Sequence, residues 1–168
     1  MQLLMKTHQI DAHGEFRVYD AKENVLFKVR AVKRGRIIKA SEYMTIYDAA
    51  DNERARIVQR TMAVTPVFDL YVGDEVVGKV TKNPSFMNWG VTFKLDMFDW
   101  KLEGKKYKKW EFCIKSTKND AKIAQMSEGP YRWGLTSKIE VYNQYHALYA
   151  LLVALAVTVS FSLGGFTG

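Results

Sequence analysis

Three histidines, one cysteine and scattered serines are the residues of this chain that could support metal or covalent chemistry, and their spacing argues against both. His8, His13 and His146 have no partner at metal-ligand spacing. Asp48, Asp51 and Glu53 gather carboxylates but lack the alternating ligands and distant bidentate Glu of a calcium loop, so they read as a hairpin turn. Ser85, Ser127 and Ser137 have no G-x-S-x-G setting and no histidine in a triad order. Gly164 and Gly165 follow a helical pattern where a phosphate-cradling loop would open one. Cys113 lies in an alternating run near lysines that could lower its pKa, but a lone cysteine there reads as structural. His146, between Tyr145 and Ala147, reads as a group at the mouth of the last helix. No enzyme, metal or cofactor is expected.

Binding chemistry has better candidates. The net charge is +7, and its origin is local. Residues 28–39 (KVRAVKRGRIIK) hold six basic side chains and no acid, and residues 104–110 (GKKYKKW) hold four more. Without those ten, 15 basic residues face 18 acidic ones, so the remainder of the chain is slightly acidic. Concentrated cations of this kind attract anionic headgroups or an acidic partner, although they also serve to keep strand edges solvated and unpaired. The residues expected to bind an anionic lipid or a protein partner are Lys33, Arg34, Arg36, Lys105, Lys106, Lys108 and Lys109. Nucleic acid is not an expected partner. Two further stretches, residues 82–89 (KNPSFMNW) and 128–133 (EGPYRW), combine proline with aromatics and read as long loops.

The elements that must carry these residues are mostly strands. Runs such as 16–19 (FRVY), 25–29 (VLFKV), 43–47 (YMTIY), 68–72 (FDLYV), 89–95 (WGVTFKL) and 110–114 (WEFCI) alternate with period two, the mark of strands buried on one face. Asp and Asn at the reversals supply turn conformations. The spelling repeats as well: FRVYDA at 16–21 and MTIYDA at 44–49. About twelve strands in hairpins suit a single barrel, which removes sheet edges by closing on itself. Trp89, Trp100, Trp110 and Trp133 read as barrel wall. With one cysteine and no signal-peptide pattern at the start, the expected setting is the cytoplasm, peripheral to a membrane where lipid is engaged.

Residues 147–159 (ALYALLVALAVTV) break the pattern, being apolar on every side. Such a helix is buried in protein or in lipid. A barrel of twelve strands has a lumen too wide for its own side chains to fill. A helix over 147–163 would run about 25 Å, short of the roughly 30 Å hydrocarbon core. Ala147, Ala150, Ala154 and Thr158 form a small-residue stripe that permits close approach of strands, or equally of a second membrane helix. Both readings, lumen core and membrane anchor, stand on the residues alone.

The order of the hairpins, from FRVYD (16–20), YMTIYD (43–48), VVGKV (76–80), WKLEG (100–104) and WEFCI (110–114) to a closing IEV (139–141) and an Ala/Leu/Val helix, resembles the LURP-one-related proteins, grouped with tubby C-terminal domains and phospholipid scramblases. The resemblance runs over roughly residues 6 to 160. It implies a mainly β domain spanning residues 1–168: a closed, twelve-stranded antiparallel barrel around a buried C-terminal helix over about residues 144–163. On the residues themselves the expected function is a non-enzymatic binding or scaffold module acting through its basic segments, the alternative being a membrane-anchored, scramblase-like protein whose C-terminal helix inserts in the bilayer. Asn24 and Asn52 stand where the family often has glycine, and asparagine tolerates the same positive φ. Tubby domains bind phosphoinositides through basic residues, none of which is matched to a position here.

Overall fold

A computed structural model describes residues 1–6, 15–32, 43–60, 63–83, 92–106, 110–131 and 134–163. Twelve strands precede one helix: β1 (Gln2–Met5), β2 (Glu15–Tyr19), β3 (Val25–Val32), β4 (Tyr43–Asp48), β5 (Glu53–Gln59), β6 (Val67–Val72), β7 (Glu75–Lys82), β8 (Phe93–Asp96), β9 (Trp100–Lys106), β10 (Trp110–Ser116), β11 (Lys122–Tyr131), β12 (Gly134–Val141) and α1 (Ala147–Leu163). They form one sheet in the order β8-β7-β6-β5-β4-β3-β2-β1-β12-β11-β10-β9, every neighbouring pair antiparallel. The sheet curls until β8 and β9, its two edges, meet at the short turn through Met97, Phe98 and Asp99. The barrel is therefore nearly closed. Its seam is spanned on the inside by Phe93 and Phe112, whose rings meet edge to face with centroids 5.4 Å apart. Gly104, at φ +136° on β9, makes room for this. A Cβ there would strike the Glu111 carbonyl and lie 3.0 Å from the Phe112 ring.

The alternation read from sequence sorts the walls. Leu3, Met5, Phe16, Val18, Val29, Ile46, Ala55, Ile57, Phe68, Leu70, Val80, Ile114, Met126 and Ile139 all point inward and are buried. The helix fills what they leave. Every residue from Ala150 to Val157 is buried, and eight consecutive residues cover more than two turns, so the strands enclose every side of α1. Ala150 and Ala154, fully buried, bring backbones close, while Leu151, Leu152 and Leu155 occupy the wider lumen. Thr158 donates to the Ala154 carbonyl at 2.8 Å and Ser160 to that of Val157 at 2.7 Å, so neither hydroxyl is left unpaired in the interior. No helix among the described residues is long and apolar enough to cross a membrane.

Three details depart from expectation. Residues 128–131, read as part of a long loop, are instead the end of β11, paired with β12 as far as Tyr131 and Gly134. Residues 2–5 are a strand, paired with both β12 and β2, although their four residues are too short to show a period. The left-handed residues in the first two hairpins are Glu23 (φ 65°) and Asp51 (φ 64°), one position before Asn24 and Asn52. The asparagines instead hold the turn by their side chains, donating to the carboxylates of Asp20 and Asp48. Those same carboxylates accept the backbone N–H groups two and four residues on, a local substitute for the ladder that ends there. Trp100 is core, as expected. Trp89 and Trp133, like Gly164 and Gly165, lie outside the described residues, as does most of 82–89.

Candidate functional site

Strict antiparallel order gives the barrel two different ends. Even-numbered strands run toward one end, where the connections are short: residues 20–24, 49–52, 73–74, 97–99 and 117–121, together with 142–146, which lead into the helix. At the opposite end lie the strand ends that flank residues 7–14, 33–42, 84–91, 107–109 and 132–133, and the C-terminal end of α1.

Of the seven basic residues singled out by composition, only Lys105 and Lys106 fall among the described residues. Lys33, Arg34, Arg36, Lys108 and Lys109 lie outside the described residues; Lys105 and Lys106 are placed on β9 by their backbone only. The strand ends that carry the two segments, Val32 and Tyr43 for one, Lys106 and Trp110 for the other, share the same end of the barrel. Lys82 belongs there as well: its ammonium donates to the Ser160 carbonyl at 3.1 Å.

On the outer wall, cations are stacked on tyrosines in three successive hairpins. Lys6 lies 4.8 Å from the Tyr19 ring, Arg30 4.5 Å from Tyr47 and Arg56 4.8 Å from Tyr71. Lys28 and Arg30 also reach Asp51, and Arg30 bonds Glu15 at 2.6 Å; the Glu15 carboxylate beside it holds the guanidinium pKa above its usual range. Arg17 faces Lys28 directly across the β2–β3 ladder. Like charges opposed in this way cost stability. Among the described residues no acid pairs with Arg17. Composition flagged Lys28 and Arg30 only as part of a charged run. The Tyr-Asp-Ala repeat was the visible trace of Tyr19 and Tyr47, but stacking depends on which neighbour lies across the ladder, and that was not legible.

Cys113 sits in a shallow depression of about 380 Å³ on β9, β10 and β11, beside Glu103, Glu111, Lys115, Lys122 and Gln125. Burial raises its thiol pKa, outweighing the nearby Lys122 and Lys115, so the reactive thiolate is disfavoured. Glu103 and Asp120 are both tied to Lys101 and Lys115, and Gln125 donates to Glu111. These polar groups satisfy one another. Among the described residues no group of three His, Cys, Asp or Glu side chains could hold a metal ion.

At the short-turn end, His146 closes a 3-10 turn, Gln144–His146, that is capped by the Asn143 side chain. Its ring stands edge-on to Trp100 with centroids 5.2 Å apart. Its Nδ1 is buried without a partner among the described residues. Trp100 in turn contacts Phe98 and Tyr149.

A nearly closed, twelve-stranded antiparallel barrel that encloses its own C-terminal helix is a tubby-like fold. An X-ray structure of a protein from Arabidopsis thaliana superposes on it with a TM-score of 0.60 at 16% identity, covering 94% of this chain and 90% of that one. The profile of the LURP-one-related family matches residues 1–160, and the chain belongs to that family. It is 22% identical over 157 residues to the uncharacterized protein YxjI of Bacillus subtilis (strain 168), covering 94% of this chain and 91% of YxjI.

Proposed function

We propose that this protein is a non-enzymatic binding module of the cytoplasm that docks on an anionic phospholipid surface through the long-connection end of its barrel. The observation that carries the reading is topological. Two segments about 70 residues apart in the chain, one rich in lysine and arginine and the other in lysine, spring from strand ends at one end of the same barrel. Each basic side chain near an anionic surface contributes about 1 kcal/mol, so only a convergence of several gives useful affinity. Lys33, Arg34, Arg36, Lys105, Lys106, Lys108 and Lys109 are the proposed contacts. The enclosed helix supports a docked protein over one inserted by α1, because exposing Ala150 to Val157 would dismantle the core.

Flotation with vesicles of phosphatidylcholine, with and without phosphatidylserine, tests this at low and physiological salt. Wild type is expected to float with the anionic vesicles and to dissociate as salt rises. A variant with Lys33, Arg34 and Arg36 changed to Glu, and a second with the four lysines changed, should each lose most of that binding at an unchanged thermal midpoint. Equal recovery of wild type and both variants would overturn the reading, and so would an absence of flotation at low salt.

A further inference from the structure

The connection between β5 and β6 stands at the same end of the barrel as the strand ends that carry the basic segments, because β5, like β3 and β9, runs toward that end. Its base is fixed. The Arg60 N–H donates to the Val67 carbonyl and the Lys82 N–H to the Pro66 carbonyl, both at 2.9 Å. The Arg60 guanidinium is engaged by Asp69, which accepts two bonds from it at 2.8 and 2.9 Å. Residues 61–68 carry no charge. On this base Val64 is fully exposed, and Ala63 is exposed beside it.

A lone exposed valine is ordinary on a protein surface. This one is set apart by where it stands and how it is held. Its side chain is exposed in full, so packing does not explain an apolar residue there. Among the described residues it is the one large hydrophobic exposed at this end. Pro66, with its fixed φ, and the two backbone bonds present the tip already ordered, which lowers the entropy lost when it is buried by a partner. Contacts made by cations alone are screened by salt. Proteins that lie on a bilayer add apolar side chains at the boundary of headgroups and acyl chains, where affinity grows with the apolar area buried. A tip without charged side chains enters that layer with no charge to desolvate.

We infer that Val64 is an apolar anchor of the docked protein: the tip at residues 63–66 enters the interfacial layer of the bilayer while the basic segments hold the headgroups. This rests on the lipid-docking reading above and adds to it a contact that salt does not screen.

Val76, exposed at the opposite end of the barrel, is the internal control. Full-length protein with labelled valine methyl groups is bound to bicelles of phosphatidylcholine and phosphatidylserine, with and without lipid carrying a nitroxide in its upper acyl chain. The nitroxide should broaden the Val64 methyl signals and spare those of Val76. In flotation with vesicles of the same lipids, Val64→Ser should lower affinity about threefold to tenfold, as partial burial of a valine side chain predicts. Val64→Leu should raise it and Val76→Ser leave it unchanged, all at the wild-type thermal midpoint. The ratio of wild type to Val64→Ser should hold as salt rises and both affinities fall. Equal affinities of the two, in a wild type that floats, would overturn the anchor and leave the cationic contact standing. Val64 signals that stay sharp in the bound protein would overturn it as well, leaving the tip to a protein partner. A loss in Val64→Ser with none in the basic-segment variants would keep the anchor and reject the cationic contact. A wild type that does not float at low salt would overturn both.

Discussion

Lys82 and Ser160 tie the wall of the barrel to its filling: the lysine Nζ, at the end of β7, donates to the carbonyl of a residue in the last turn of α1 at 3.1 Å. The final carbonyls of a helix have no partner within it, and the negative end of the helix dipole favours a cation there.

Replacing that cation should loosen the helix from the wall. Lys82→Met keeps the length of the side chain and removes the donor. It is expected to destabilise the protein by about 1.5–3 kcal/mol, the range for a hydrogen bond to a charged group. Urea denaturation at neutral pH measures this; an unchanged midpoint would mean that the bond contributes nothing net.

Ala154 has no room around it. It is fully buried, mid-helix, and its carbonyl already accepts Thr158. Ala154→Leu adds three heavy atoms to a close-packed interior and should cost roughly 1–3 kcal/mol. Ala154→Asp places an unpaired carboxylate there and should prevent folding. Thermal melts in detergent-free buffer decide the matter: a Leu variant that melts at the wild-type temperature contradicts the enclosed helix.

Gly78 and Gly104 guard the seam in different ways. A Cβ at Gly78 would stand 2.5 Å from the Met97 Cβ and 2.7 Å from the Asp96 carbonyl, so Gly78→Ala must push β7 away from the turn that joins the two sheet edges. Gly104→Ala meets backbone as well and loses the residue suited to φ +136°. Both are expected to destabilise by about 1–3 kcal/mol or more, Gly104→Ala the more severely. Gly73→Ala, with open space around it but φ +59°, should be the mildest of the three. The order of the three midpoints in urea is the test.

Acid should unlock the hairpins before it reaches the core. In Asp20 the Asn24 side chain, and in Asp48 the Asn52 backbone N–H, leads the hydrogen bonds that hold the carboxyl pKa below its ordinary value; at Asp51 the Lys28 ammonium does so. A carboxyl whose folded pKa is depressed stabilises the fold above its unfolded pKa, near 3.9, and loses that contribution as pH falls through the folded pKa. The urea midpoint should therefore be flat with respect to these groups from neutrality to about pH 5, and fall below about pH 4. An Asp20→Ser, Asp48→Ser double variant should show a shallower fall. Identical slopes in the two proteins would remove these turns from the explanation.

The fold was legible because a barrel wall and its filling write different periods. Alternation gave the hairpins from Phe16 to Val141, and an apolar run with no polar face gave α1. Strand β1 was missed, since four residues cannot show a period and its evidence is the ladder from Gln2 to Glu140, far away in sequence. The candidate surfaces were only half legible. Basic runs are visible as composition, whereas the cluster of Phe98, Trp100 and Tyr149 depends on a turn bringing rings together from β9, its preceding turn and α1. Asn24 and Asn52 were noticed as turn residues but given the wrong task, because the side chain that organises each turn, Asp20 or Asp48, sits four positions earlier.

The pairing of β1 with β12, and the arrival of α1 after every strand, set the order in which this chain can become a protein. During synthesis the strands emerge with their inner faces bare, and nothing that follows them locally can cover those faces. The first strand waits for the twelfth, and both wait for the helix that fills the space between them. Folding is thus a late, concerted event governed by contacts remote in sequence, which makes it slow and exposes the nascent chain to aggregation. A chain stopped before Tyr142 would possess the whole wall and none of its support.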